Sequence, residues 1–183
     1  MTRRPIVGVM GSGVDEHVDT AEPLGRLLAN EGVHLLTGGG RGVMTAVTRA
    51  FVAVPERRGL ALGVLPSDPS DVTRARDGYP NAFVEVPIRT HLPLSGTEGE
   101  GERSRNSINV LSADVVLVLP GGAGTASEAR LAVRYGKSVA AVCFGAEEAP
   151  SAAGVPSDLG LDVLRSEGEV RAFLREALTG FAG

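Results

Sequence analysis

Between Leu111 and Tyr135 the chain reads LSADVVLVLPGGAGTASEARLAVRY, and this stretch narrows the available folds more than any other. Val115 to Leu119 is an unbroken apolar, β-branched-rich run, the pattern of a strand buried on both faces of a parallel sheet. Pro120 stops it, and Gly121, Gly122 and Gly124 make a turn with little side-chain bulk before a helix rich in Ala, Leu and Arg. Thr125 reads as the N-cap of that helix, with Glu128 three residues on in the capping-box position. Unpaired N–H groups and the positive end of the helix dipole gather at such a terminus, which suits an anion such as phosphate.

The same punctuation recurs along the chain. Residues 5–10 read as a buried strand ending in Gly11-Ser12-Gly13, and residues 33–37 as a second ending in Gly38-Gly39-Gly40. Residues 60–65 make a third strand, 83–87 a short fourth, and 138–144 a sixth after the central strand. Helices are expected at 19–31 (stopped by Gly32), 42–54, 104–112 and 167–179. In the helix before the central strand, Arg105, Asn109 and Ser112 form one polar face, with Ile108 and Leu111 on the core side. Segments 67–82 and 93–103 are long loops, and 145–160 is irregular. Fully apolar strands alternating with helices predict one domain over residues 1–183. Its class is α/β, a Rossmann-like doubly wound parallel sheet in a three-layer α/β/α sandwich.

Composition removes several functions. The net charge of −4 and the lack of a basic run leave no footprint for nucleic acid or an anionic membrane. Cys143, the only cysteine, lies in an apolar run and reads as an inert core thiol, so no disulfide framework or cysteine metal cluster is expected. No cofactor and no metal site is expected. The apolar run after Arg3 and Arg4 is too short for a signal peptide, and no stretch is long enough to span a bilayer. The expected location is the cytoplasm.

In a parallel sheet the three glycine turns lie on one edge, where open α/β sheets bind ligands. A dinucleotide fingerprint fails here, because Gly11-Ser12-Gly13 lacks the third Gly and the second strand ends in Thr37-Gly38 without an acid. A P-loop lysine is also missing, since Lys137 is the only lysine. The expected ligand is a smaller phosphorylated molecule held mostly by backbone N–H groups. The candidate contacts are Gly11, Ser12, Gly39, Gly40, Arg41, Gly121, Gly122, Gly124 and Thr125, with Arg105 and Glu128 as candidate catalytic side chains.

PGGAGTASE (Pro120 to Glu128) resembles the PGGxGTxxE motif of the LONELY GUY (LOG) family, long labelled "lysine decarboxylase-like", and GGGRGVM (Gly38 to Met44) resembles its second glycine motif. The resemblance implies a phosphoribohydrolase that cleaves a nucleoside 5′-monophosphate to base and ribose 5-phosphate, with Arg105 and Glu128 in the catalytic positions, and a homodimer. Glu102-Arg103 replaces the family's Met-His, Asn106 its Lys, and Ser127 the first Glu of its Glu pair. In these features the chain looks more like a neighbouring branch that includes the molybdenum cofactor carrier proteins. That branch implies binding of a phosphorylated pterin without turnover. The sequence leaves both readings open.

Overall fold

The computed structural model describes residues 3–94, 98–101, 103–145 and 155–181. The apolar runs become strands β1 (Ile6–Met10), β2 (His34–Thr37), β3 (Ala61–Leu65), β4 (Val86–Arg89), β5 (Val115–Val118), β6 (Ser138–Val142) and β7 (Val163–Leu164). They form one seven-stranded sheet in the order β4-β3-β2-β1-β5-β6-β7, with every pairing parallel. The helices are α1 (Val18–Glu31), α2 (Val43–Val52), α3 (Asn106–Ser112), α4 (Ala123–Arg134) and α5 (Glu167–Ala177). The fold is the Rossmann-like α/β sandwich that the pattern predicts.

β5 shows why its sequence is apolar throughout. Successive side chains of a strand point to opposite faces of the sheet. Val115, Leu117 and Leu119 accordingly enter a core shared with Leu24 and Leu28 of α1, Val47 and Phe51 of α2 and Val170 and Leu174 of α5. Val116 and Val118 enter a second core with Val110 of α3 and Leu131 of α4. Each face is covered, so neither set can be polar. β1 sits between β2 and β5. The helices that follow β1 and β5 therefore cover opposite faces of the sheet, and the turns that lead to them flank a crevice, the usual place for a ligand.

Several local expectations are corrected. The fourth strand begins at Val86 rather than at Phe83, because Asn81 draws residues 83 and 84 into a turn: Phe83 N–H donates to Asn81 Oδ1 (3.0 Å) and Val84 N–H to Asn81 O (3.3 Å). The irregular stretch is followed by a two-residue strand, β7, paired with β6 through Ala141 and Val142. Cys143 is half-buried just past β6 instead of enclosed in the core. In α3, Ile108 packs on the core as expected, but Leu111, also expected there, is 53% exposed, and Asn106 and Asn109 are buried together with Val110. Residues 95–97, Glu102 and residues 146–154, which fall in the predicted loop and irregular segment, lie outside the described residues. Among the described residues no helix is long and apolar enough to cross a membrane.

Candidate functional site

A cavity of about 880 Å3 opens at the crevice between β1 and β5. The first wall is the turn after β1, where Ser12 N–H donates to Pro120 O (3.0 Å) and so ties this turn to the one after β5. Ser12 Oγ accepts from the N–H groups of Val14 (3.1 Å) and Asp15 (2.9 Å), which folds the loop back over the site. The hydroxyl proton of Ser12 is left free to be donated, since both of these bonds use its oxygen as acceptor.

The second wall is the start of α4. The helix begins at Ala123 after Gly122, and no side chain caps it. This corrects the capping box: Thr125 and Glu128 lie inside the helix, and Glu128 is in its second turn. The first N–H groups of a helix have no intrahelical partner, so here they carry their partial positive charge toward the cavity. Gly121, Gly122, Gly124 and Thr125 all border that space. A Cβ on Gly121 would overlap Thr125 Oγ1 and stand 2.8 Å from the amide of Ser12, so only glycine lets the two turns approach this closely. A Cβ on Gly122 would meet nothing within 4 Å.

The third wall holds the charged side chains. Arg105, just before α3, is 4% exposed, and Glu128 is 8% exposed. Arg105 Nη1 lies 3.6 Å from Glu128 Oε1, too far for a hydrogen bond. Asn109 Nδ2 donates to the same Glu128 oxygen at 2.9 Å and lies 3.2 Å from Met10 Sδ. Nε and Nη1 of Arg105 and Oδ1 of Asn109 are buried without hydrogen-bond partners. Burial pushes the Glu128 carboxyl above its ordinary range, against the opposing pull of Arg105 and of the Asn109 amide. The site thus keeps a buried guanidinium at ion-pair distance from a buried carboxyl, with part of its hydrogen-bonding capacity unused.

The structure brings together Gly11, Ser12, Arg105, Gly121, Gly122, Gly124, Thr125 and Glu128 on one cavity. Gly39, Gly40 and Arg41 are not on its walls. The N–H of Gly39 donates to Thr37 Oγ1 (3.1 Å) and that of Gly40 is directed at Met44 Sδ (3.4 Å), so neither is free for phosphate. Arg41 is exposed beside Gly78. Residues the sequence did not single out for the site also border the cavity: Asp15, His17, Met44, Tyr79 and Asn106. Asn106 stands where the resembling family has its Lys, Met44 closes the GGGRGVM motif, and Asp15 and His17 follow the first glycine turn, so of these five Tyr79 alone gave no sign. Among the described residues no three His, Cys, Asp or Glu side chains gather as a metal site.

A parallel sheet with its cavity at the switch point, beside an uncapped helix N-terminus and a buried arginine, defines a Rossmann-like protein. The chain belongs to the SLOG cluster4 family, whose model matches residues 4–166. It is similar to the molybdenum cofactor binding protein of the phototrophic bacterium Rippkaea orientalis, with 29% identity and a TM-score of 0.68 over 97% of this chain and 99% of that one. The molybdenum cofactor carrier protein of Chlamydomonas reinhardtii is 30% identical, with a TM-score of 0.67 over 97% of this chain and 99% of that one. An uncharacterized protein of Archaeoglobus fulgidus is 32% identical over 138 residues, 74% of this chain and 78% of that protein. These relationships agree with the resemblance carried by Pro120 to Glu128.

Proposed function

We propose that the protein binds a phosphorylated small molecule, with the phosphate between the α4 N-terminus and Arg105, and acts as a carrier for a phosphorylated pterin of the molybdenum cofactor type. One observation carries this reading: Arg105 borders the cavity with two guanidinium nitrogens buried and unbonded. A buried donor without a partner costs about 1–3 kcal/mol, more when charged. That cost is recovered when a phosphate accepts both bonds. The pterin is favoured over other phosphorylated ligands by two similar proteins, which are named for binding and carrying the molybdenum cofactor. The homodimer implied by the family resemblance belongs to the same proposal and is checked by light scattering.

A second reading, hydrolysis of a nucleoside 5′-monophosphate, is favoured by one placement. Glu128 borders the cavity together with Asp15 and His17, so a carboxyl and a second proton-handling group share the space. N-glycoside cleavage needs a group to stabilise the oxocarbenium-like sugar or activate water, and another to protonate the departing base. Under this reading Glu128 serves the sugar side. Chromatography of AMP and related monophosphates incubated with the protein separates the two functions. The carrier reading expects no free base above a no-protein control and tight binding of a phosphorylated pterin. Sustained base release without pterin binding would replace it with the hydrolase.

A further inference from the structure

The loop between β3 and β4 contributes one side chain to the cavity, Tyr79. Neither a phosphate grip nor a hydrolytic step uses it. Its ring is packed on the second glycine turn: a Cβ at residue 40 would stand 2.8 Å from Tyr79 Cε1 and 3.0 Å from Cζ. Gly40 is therefore bare because a ring occupies the space. The loop is fastened to that turn at the next residues. Asn81 N–H donates to Gly39 O (2.8 Å), and Asn81 Nδ2 donates to Gly40 O (2.8 Å). Further back, Arg76 Nη2 donates to Pro93 O (2.6 Å), and Tyr79 N–H donates to Arg76 O (3.1 Å). A loop of polar, aperiodic sequence is thus held in one position with an aromatic ring facing the ligand space.

Met44 completes this end. Its methyl group would touch a Cβ at residue 40 (2.9 Å) and lies within 3.9 Å of one at residue 13, so it bridges the first and second glycine turns. Tyr79 and Met44 border the same cavity as Arg105 and Gly122. The cavity bordered by Arg105 and the start of α4 thus also presents an aromatic ring and a thioether. Flat heteroaromatic rings stack on aromatic side chains and are well accommodated by polarizable sulfur. We infer that Tyr79 is a specificity-determining residue that holds the planar ring of the ligand, and that the second glycine turn exists to seat it. The inference rests on the proposed phosphate site and adds the residue that reads the rest of the ligand: Tyr79 selects a phosphate ester carrying a fused heteroaromatic ring over a simple sugar phosphate.

The test is calorimetric titration of the full chain with AMP, ribose 5-phosphate and inorganic phosphate, for the parent, Tyr79→Phe and Tyr79→Ala. Base–aromatic stacking lost to alanine corresponds to roughly 5- to 150-fold in affinity. The parent should bind AMP at least about tenfold more tightly than ribose 5-phosphate. Tyr79→Ala should remove that advantage and leave ribose 5-phosphate and inorganic phosphate unchanged, while Tyr79→Phe retains it. Three results overturn the ring wall and leave the phosphate site standing: equal parent affinity for AMP and ribose 5-phosphate, an AMP advantage that survives in Tyr79→Ala, and equal weakening of all three ligands in that variant. A parent that binds none of the three overturns the phosphate site and the ring wall together.

Discussion

Gly38 is bare because Arg105 fills the place of its side chain: a Cβ at residue 38 would overlap both terminal guanidinium nitrogens and stand 2.8 Å from Cζ. The second glycine turn therefore admits a cation from a loop 67 residues further on. Gly38→Ala should displace the guanidinium from the cavity wall without touching any ligand itself. The expected result is a folded protein whose affinity for inorganic phosphate falls at least about tenfold, the worth of one charge-assisted hydrogen bond. Unchanged phosphate affinity in a folded Gly38→Ala protein would show that Arg105 is not the grip.

Arg105 should also set stability against binding. Its buried Nε and Nη1 have no hydrogen-bond partner, and the nearby carboxyl is pushed toward its neutral form. Replacing a buried, poorly compensated charge with an apolar side chain of similar volume is often neutral or stabilising. Arg105→Met is expected to unfold at the same temperature as the parent or a few degrees higher, while losing phosphate binding. Loss of about 3 kcal/mol or more of stability would mean that the Arg105–Glu128 pair is instead a structural tie.

Glu128 gives a pH signature whose sign follows from its environment. Burial raises its value in the native state, whereas the unfolded chain has an ordinary carboxylate. The native state then binds the proton more tightly, so this group's contribution to stability is fully present below the ordinary carboxylate range. It is lost as pH rises through the raised native value. Glu128→Gln is neutral at every pH and should flatten that decline, making the variant relatively more stable on the alkaline side. Thermal unfolding across pH checks this, and a variant with the parent's slope would contradict it. Under the hydrolase reading the same substitution lowers kcat by about 10² or more.

Two neighbouring glycines should behave differently. Gly121→Ala forces a Cβ into Thr125 Oγ1 and the Ser12 amide, so it should cost stability. Gly122→Val meets open space, so the protein should fold normally and lose phosphate binding because the side chain stands over the helix N-terminus. Chemical denaturation with a parallel phosphate titration separates the two effects. A Gly122→Val protein that binds phosphate like the parent places the anion elsewhere.

Lys137 tests the old decarboxylase label. Its Nζ donates to Leu111 O (2.9 Å) and Ala113 O (2.6 Å) at the end of α3, just before β6 begins and on the sheet edge opposite the glycine turns. A pyridoxal phosphate enzyme needs a lysine for its Schiff base, and the sequence has no other lysine. No absorbance band from a Schiff base is expected on adding pyridoxal phosphate. A band that vanished in Lys137→Ala would overturn this.

The sheet was legible because burial on both faces leaves strands such as Val115–Val118 no choice but apolar residues. The glycine turns were legible for the same steric reason, yet their tasks were not. Gly38 and Gly40 are bare to receive Arg105 and Tyr79, contacts between residues distant in the chain that no local pattern records. The helical spacing of α3 puts Ile108 and Leu111 together on the core side, and only Ile108 packs there. Here the inward side meets a cavity, so Asn106 and Asn109 are buried and Leu111 is exposed. Thr125 and Glu128 have capping-box spacing, but the helix starts earlier, at Ala123, and Asn109 holds the carboxylate. Tyr79 lies in an aperiodic loop that offered no signal.

On the proposed function the anion, gripped by Arg105 and the α4 N-terminus, anchors the ligand. The most direct test is to titrate the parent protein with a phosphorylated pterin and with the same pterin lacking the phosphate. Removing the phosphate is expected to weaken binding about 100-fold or more, since charge-assisted bonds to a buried arginine and to helix N–H groups are lost together. Equal affinity for the two pterins would contradict it.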